Sequence, residues 1–104
     1  MQTITVNEVK QRLGAGERLN LLDVREPNEF AEFNIGGSLV PLGQIQAMQV
    51  DELEGWKDQE VIVFCRSGRR SLMACQYLES MGFTNTKNLE GGMLEWQAQG
   101  QSVK

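Results

Sequence analysis

Residues 61 to 71 read VIVFCRSGRRS, and no other stretch restricts the fold as much. Val61 to Phe64 form a continuous β-branched and aromatic run without polar alternation, the pattern of a strand covered on both faces in a parallel sheet. The run stops at Cys65 and gives way to serine, glycine and three arginines. From about Arg69 to Met81 the apolar residues Ala74, Cys75, Leu78 and Met81 return on one helical face, and Gly82 is placed to end that helix. A central strand, a tight loop and a helix therefore follow one another, and the rest of the chain must flank them.

It does so by alternation. Thr5 and Glu8 fit a capping box, and Val6, Val9 and Leu13 keep a helical spacing that stops near Gly14 and Gly16. Leu19 to Val24 reads as a strand with Asp23 at its polar end, and Pro27 suits the first turn of a short helix through Phe33. Ser38 to Val40 is a short strand. Gly43 to Trp56 has helix-like spacing without clear caps and stays open between helix and irregular structure. Thr86 to Leu89 forms a last strand, and Gly91 and Gly92 lead into a helix carrying Met93, Leu94 and Trp96. The order predicts an α/β fold, a mostly parallel central sheet flanked by helices. With 104 residues, 40% of them hydrophobic, one domain spanning 1–104 is expected.

Composition narrows the chemistry. Ten Lys and Arg against fourteen Asp and Glu give a net charge of −4, which argues against a nucleic-acid or anionic-membrane surface. No run approaches the ~20 apolar residues of a membrane span, and the first residues lack the basic and apolar parts of a signal peptide, so a cytoplasmic protein is expected. Two cysteines ten residues apart make a poor disulfide framework, and both should be free thiols. The chain has no histidine. That removes Cys-His and Ser-His-Asp catalysis and any histidine-ligated metal site, and two cysteines alone cannot hold zinc, so neither metal nor cofactor is expected.

Three of the six arginines nevertheless fall between positions 66 and 70. Ligands of open α/β sheets bind beyond the carboxyl ends of the strands, where Cys65 lies. Its loop feeds a helix N-terminus, whose first amides lack intrahelical partners and can point at an anion. A free cysteine titrates near ~8.5, and such a setting lowers that value and enriches the nucleophilic thiolate without a base.

The segments FCRSGRRS, LLDVREPNEF and NLEGGMLEW, in that order over essentially the whole chain, resemble the rhodanese-like sulfurtransferases. The resemblance implies that Cys65 is the catalytic cysteine and that Arg66 through Arg70 complete a six-residue active-site loop. It also implies that Asp23 and Arg25 support that loop. Arg66, Ser67, Gly68, Arg69, Arg70 and Ser71 are the expected substrate-binding residues. The implied reaction moves a sulfane sulfur from a donor such as thiosulfate onto Cys65 and then to a thiophilic acceptor, cyanide or a thiol. A domain this small should have a shallow, exposed active-site mouth, which admits a protein thiol as acceptor beside small molecules.

One segment departs from the family pattern. Where a Gly-His-Ile-Pro-Gly-Ala-like stretch is usual, this chain has FNIGGS from Phe33 to Ser38, and a looser turn is expected there. Related phosphatases and arsenate reductases of this fold place an arginine six positions after the cysteine. Here that position is Ser71, and Arg70 comes one residue earlier, which favours sulfur transfer over phosphate hydrolysis. A non-catalytic interaction module of the same fold is the other alternative, disfavoured by the intact cysteine and arginines. Arg70 is expected to pair with Asp23 or another carboxylate and so fix the loop. Cys75, Trp56 and Trp96 read as packing residues, Cys75 because it shares the apolar face of its helix.

Overall fold

Strand β4 (Glu60–Phe64) is the middle strand of a five-stranded sheet in the computed structural model, which describes residues 1–99. Its neighbours are β5 (Asn85–Leu89) on one side and β2 (Leu21–Asp23) on the other, with β1 (Gln2–Ile4) and β3 (Ser38–Leu39) at the edges. Every pairing is parallel, with Leu22 opposite Val63 and Val63 opposite Asn88. Helices α1 (Val6–Gly14), α2 (Pro27–Glu32), α3 (Leu42–Gln46), α4 (Arg69–Ser80) and α5 (Gly92–Ala98) alternate with the strands.

The unbroken apolar run of β4 is explained by two cores. Side chains alternate across a sheet, so Val61 and Val63 join Leu22, Val24, Ala74, Cys75 and Leu78 on one face. Ile62 and Phe64 join Val6, Val9, Leu89, Met93 and Trp96 on the other. Helices α3 and α4 cover the first face and pack together, while α1 and α5 cover the second. Val61, Ile62, Val63 and Phe64 are all fully buried. Cys75 and Trp96 are core residues and Trp56 packs against the first core, in agreement with their sequence reading. No helix among the described residues is long and apolar enough to cross a membrane.

Thr5 caps α1 as the sequence predicts, its side chain accepting from Glu8 N while the Glu8 carboxylate accepts from Thr5 N. The open segment from Gly43 to Trp56 resolves into α3 and a 3-10 turn, Asp51–Trp56, that buries Leu53. Strand β1 has no counterpart in the sequence reading. It has three residues, of which Ile4 alone is buried, too short to show a period. It exists because β5 offers it a partner edge. The FNIGGS turn is closed instead of loose: Asn34 Nδ2 donates to Phe30 O and Asn34 Oδ1 accepts from Gly36 N. An asparagine fastens the turn through the short-range bonds this residue type forms with its neighbours.

At the opposite end of the sheet from Cys65, Glu60 opens β4 between Arg12 and Lys87, each 2.6 Å away. The Arg12 hydrogen bonds outweigh burial, and with Lys87 they hold the Glu60 carboxyl at about 2, against an ordinary 4.5. A carboxylate favoured in the folded state adds stability above its unfolded value and loses it as acid titrates the folded form. Glu60→Gln should therefore lower stability at neutral pH, and the gap from the parent chain should close as pH falls from 4.5 towards 2. Urea unfolding at several pH values reads this directly. In the sheet centre, Ile62→Ala should cost about 2–5 kcal/mol with an unchanged urea m-value.

Candidate active site

Strand β4 delivers Cys65 to the carboxyl end of the sheet, and α4 starts four residues later at Arg69. The chain can turn so sharply because Gly68, the residue before the helix, takes φ of 104°, a left-handed value that side chains disfavour. The turn wraps the loop around the sulfur. Gly68 N donates to Cys65 Sγ at 3.1 Å and Ser71 N at 3.4 Å, and the Ser71 hydroxyl lies 3.4 Å from the same atom. These amides belong to the turn and the first helical residues, which have no intrahelical acceptor to satisfy.

The other side of the loop is fastened by α5. Met93 N donates to Cys65 O at 3.0 Å and Leu94 N to Arg66 O at 2.9 Å. Two loop carbonyls thus point away from the sulfur while the amides point towards it. The approach is close enough to exclude any side chain at Gly92, where a Cβ would stand 2.5 Å from Cys65 O. Asn88, at the end of β5, completes the enclosure by donating from Nδ2 to Gly68 O at 3.2 Å and accepting from the Ser71 hydroxyl.

The two cysteines are driven in opposite directions. For Cys65, burial raises the thiol pKa, but the Ser71 hydroxyl and the amides of Ser71, Gly68 and Ser67 outweigh it and the net shift is downward. For Cys75, burial dominates and pushes the thiol up to about 11. Both are free, but Cys65 is the thiol whose surroundings favour ionisation. The Cys65 sulfur is itself buried, at 1% exposure. The curled loop shelters the sulfur itself, while the side chains of Arg66, Ser67 and Arg69 around it are exposed.

The arginines divide. Arg70 binds Glu29 of α2 through two parallel hydrogen bonds of 2.7 and 2.9 Å. Glu29 is accordingly held at about 2, chiefly by Arg70 against the opposing effect of burial. Of the two alternatives expected for Arg70, Asp23 or another carboxylate, the structure has the second, because Asp23 is taken by Arg25. Arg25 Nε reaches Asp23 Oδ1 at 3.0 Å and Arg25 NH2 reaches Oδ2 at 2.8 Å. Arg25 also reaches the Phe33 carbonyl at 2.7 Å, so this buried pair anchors the segment after α2. Proximity in sequence explains the outcome, since the Arg25 amide and side chain both reach Asp23 two residues away. Arg66 and Arg69 form no carboxylate pair among the described residues.

Ser71 is fully buried. It touches the sulfur but not solvent, so of the expected substrate-binding set it is the one residue placed behind the thiol. Glu29 and Asn88 were not singled out by the sequence reading. Glu29 looks like one of several acidic residues near a helix start, and only its distance to Arg70 distinguishes it. Asn88 carried a signal, a polar residue in a buried strand three positions before Gly91. A cleft of about 240 Å³ opens beside the loop, lined by Arg25, Glu29, Phe33, Arg66 and Leu94 among others.

These pairings have a direct test. Glu29→Ala and Arg70→Ala should be non-additive in unfolding free energy by about 0.5–1 kcal/mol, since the pair is partly exposed. Asp23→Ala and Arg70→Ala should add. Urea denaturation of the singles and doubles distinguishes the two arrangements.

Comparison with known proteins gives a consistent picture. The family model for the rhodanese-like domain matches residues 5–99. A sulfurtransferase of Allochromatium vinosum is 36% identical over 103 residues, covering 94% of each chain. The human thiosulfate:glutathione sulfurtransferase is 31% identical over 106 residues, covering 90% of this chain and 91% of that one. The crystal structure of a rhodanese-like domain protein from Staphylococcus aureus superposes with a TM-score of 0.81 at 32% identity, over 100% of this chain and 99% of the other. The chain belongs to the rhodanese-like domain family, and its curated relatives include single-domain sulfurtransferases that it matches nearly end to end.

Proposed function

We propose that this protein is a sulfurtransferase that carries a sulfane sulfur on Cys65, with thiosulfate or a persulfide as donor. The observation that supports it most is the convergence of the Gly68 and Ser71 amides on one sulfur. This is a cradle for a negative charge that needs no base. In the first half-reaction the Cys65 thiolate attacks the outer sulfur of thiosulfate. The S–S bond of the donor breaks, its electron pair leaves with sulfite, and Cys65 becomes a persulfide whose negative charge lies on the added sulfur. In the second, an acceptor thiolate or cyanide attacks that outer sulfur, and the electron pair of the new bond to Cys65 returns to it as thiolate.

The depth of Cys65 fits two half-reactions. A persulfide moves the reactive atom about 2 Å further out along the new S–S bond, from the sheltered Sγ towards the exposed side chains of Arg66, Ser67 and Arg69. Sulfur loading thereby makes the group accessible to an acceptor, a protein thiol as well as a small one. The cleft beside Arg66 offers an acceptor both charge and apolar surface. Arg66 and Arg69 attract the dianionic donor. Arg70, engaged by Glu29, acts on the sulfur through its charge, and Asp23 with Arg25 holds the neighbouring segment.

Phosphate hydrolysis is the weaker reading. The sixth position after Cys65 is a buried serine bound to the sulfur, and Arg70, one residue earlier, is already paired with Glu29, so no guanidinium stands at the sixth position to clamp a tetrahedral oxyanion. A purely non-catalytic module would not need the thiol pKa lowered against burial.

Steady-state sulfite release from thiosulfate with a thiol acceptor, beside phosphate release from an aryl phosphate, tests this reading. Sulfite should form and phosphate should not. Cys65→Ser should reduce transfer to background while the fold survives, and Cys75→Ser should leave turnover largely intact. Arg69→Ala should lower kcat/KM for thiosulfate by roughly 10-fold at low salt, with the deficit shrinking as salt screens it. Transfer by Cys65→Ser, or phosphate release by the parent chain, would contradict the proposal.

A further inference from the structure

The environment behind the sulfur contains a hydroxyl with two acceptors and one proton. Ser71 Oγ lies 3.4 Å from Cys65 Sγ and is also hydrogen-bonded to Asn88 Oδ1. Ser71 is fully buried and Asn88 is 8% exposed. The orientation of the asparagine is fixed by its other bond: a carbonyl can only accept, so the atom facing Gly68 O at 3.2 Å must be the amide nitrogen. The oxygen of Asn88 then faces Ser71, and an amide oxygen cannot donate. The serine proton must supply that bond. Directed to Asn88, it leaves an oxygen lone pair towards Sγ, which suits a neutral thiol whose S–H can donate to it. A thiolate requires the opposite, with the hydroxyl turned to the sulfur and Asn88 Oδ1 stripped of its donor. No buried side-chain polar atom among the described residues lacks a partner in the structure as it stands, so turning the hydroxyl creates a vacancy that costs stability.

We propose that Asn88 is a positioning residue for the chemistry at Cys65, one that competes with the sulfur for the Ser71 proton and so makes the serine a two-position hydrogen-bond switch. This rests on the reading of Cys65 as the sulfur whose charge changes during transfer. The thiolate draws the serine proton and breaks the bond to Asn88. Once a sulfur is loaded and the charge has moved to the outer atom, Sγ is a weak acceptor, and the proton returns to Asn88. The asparagine thereby disfavours a permanently ionised resting thiol and favours the loaded state. Through Gly68 it also holds the loop, so its two bonds act in opposite directions on the thiolate.

The charged groups on the surrounding elements are Arg66 of the loop, Arg69 and Arg70 of α4, Glu29 of α2, Asp23 at the end of β2 and Arg25 after it, Glu90 after β5 and Glu95 of α5. None of their side chains is hydrogen-bonded to Ser71 or Asn88. They shift the Cys65 titration in all variants at these two positions alike, and a double-mutant cycle removes them.

The test is the pH dependence of Cys65 alkylation by iodoacetamide, without any sulfur donor, in the parent chain, Ser71→Ala, Asn88→Ala and the double variant. A Cys75→Ser background leaves one reactive thiol. If the switch operates, removing Asn88 favours the thiolate more when Ser71 is present than when it is not. That difference should be about half a pKa unit, roughly threefold in alkylation rate below the pKa. Equal effects of Asn88→Ala in both backgrounds, or a difference of the other sign, would overturn the proposal and leave Asn88 as a support for Gly68 alone. Should Asn88→Ala fail to fold, the side-chain amide resonances of Asn88 serve instead. They should shift as Cys65 ionises in the chain with Ser71 and by less than half as much in Ser71→Ala, and equal shifts would overturn the switch. Loss of sulfur transfer with normal coupling would count against the proposed activity and not against the switch.

Discussion

Two helix N-termini meet at one loop, and the arrangement of the chain around Cys65 depends on that meeting. At the start of α4 the amides of Gly68 and Ser71 turn to the sulfur, and in the first turn of α5 those of Met93 and Leu94 turn to the loop carbonyls. Both helices start at this end because β4 and β5 are parallel and adjacent, so each strand delivers its following helix to the same edge of the sheet. The loop is held from both sides by backbone amides that a helix leaves without intrahelical partners at its N-terminus. The Ser71 hydroxyl together with these backbone amides is how a chain without histidine can lower a cysteine pKa against burial.

The charge on this acidic molecule is distributed to the same end. Of the three arginines around the loop, Arg70 is neutralised locally by Glu29 while Arg66 and Arg69 remain exposed. The paired one fixes geometry and the two exposed ones set the local field. Arg25, bound to buried Asp23 and to the Phe33 carbonyl, anchors the segment that faces them. An excess of acid over the rest of the surface makes the positive patch local, a contrast that favours small anions over a polyanion.

Much of this was legible in the residues. The unbroken Val61–Phe64 run identified the central strand because two-sided burial leaves no polar position, and the helix after it could be read from Ala74, Cys75 and Leu78. The Cys65 loop followed from the junction between them. What escaped depends on distance in three dimensions. Strand β1 owes its pairing to β5, more than eighty residues away. Glu29 meets Arg70 across forty-one positions and Asn88 meets Ser71 across seventeen, and nothing in the local pattern of either names its partner. Asp23 and Arg25 were named together only through the family resemblance, and at two positions apart they need no long-range contact to pair. The burial of the Cys65 sulfur was not readable either, since it follows from the amides that have to surround it, while Arg66, Ser67 and Arg69 at its rim stay exposed.

The central claim is that the loop stabilises charge on Cys65 so that this sulfur, and no other, takes up a sulfane sulfur. Its most direct measurement is the intact mass of the protein after brief exposure to thiosulfate, followed by peptide mapping without reductant and by treatment with cyanide. The account predicts a gain of one sulfur atom per chain, located on Cys65 and removed by cyanide. An unchanged mass, or an added sulfur found on Cys75, would contradict it.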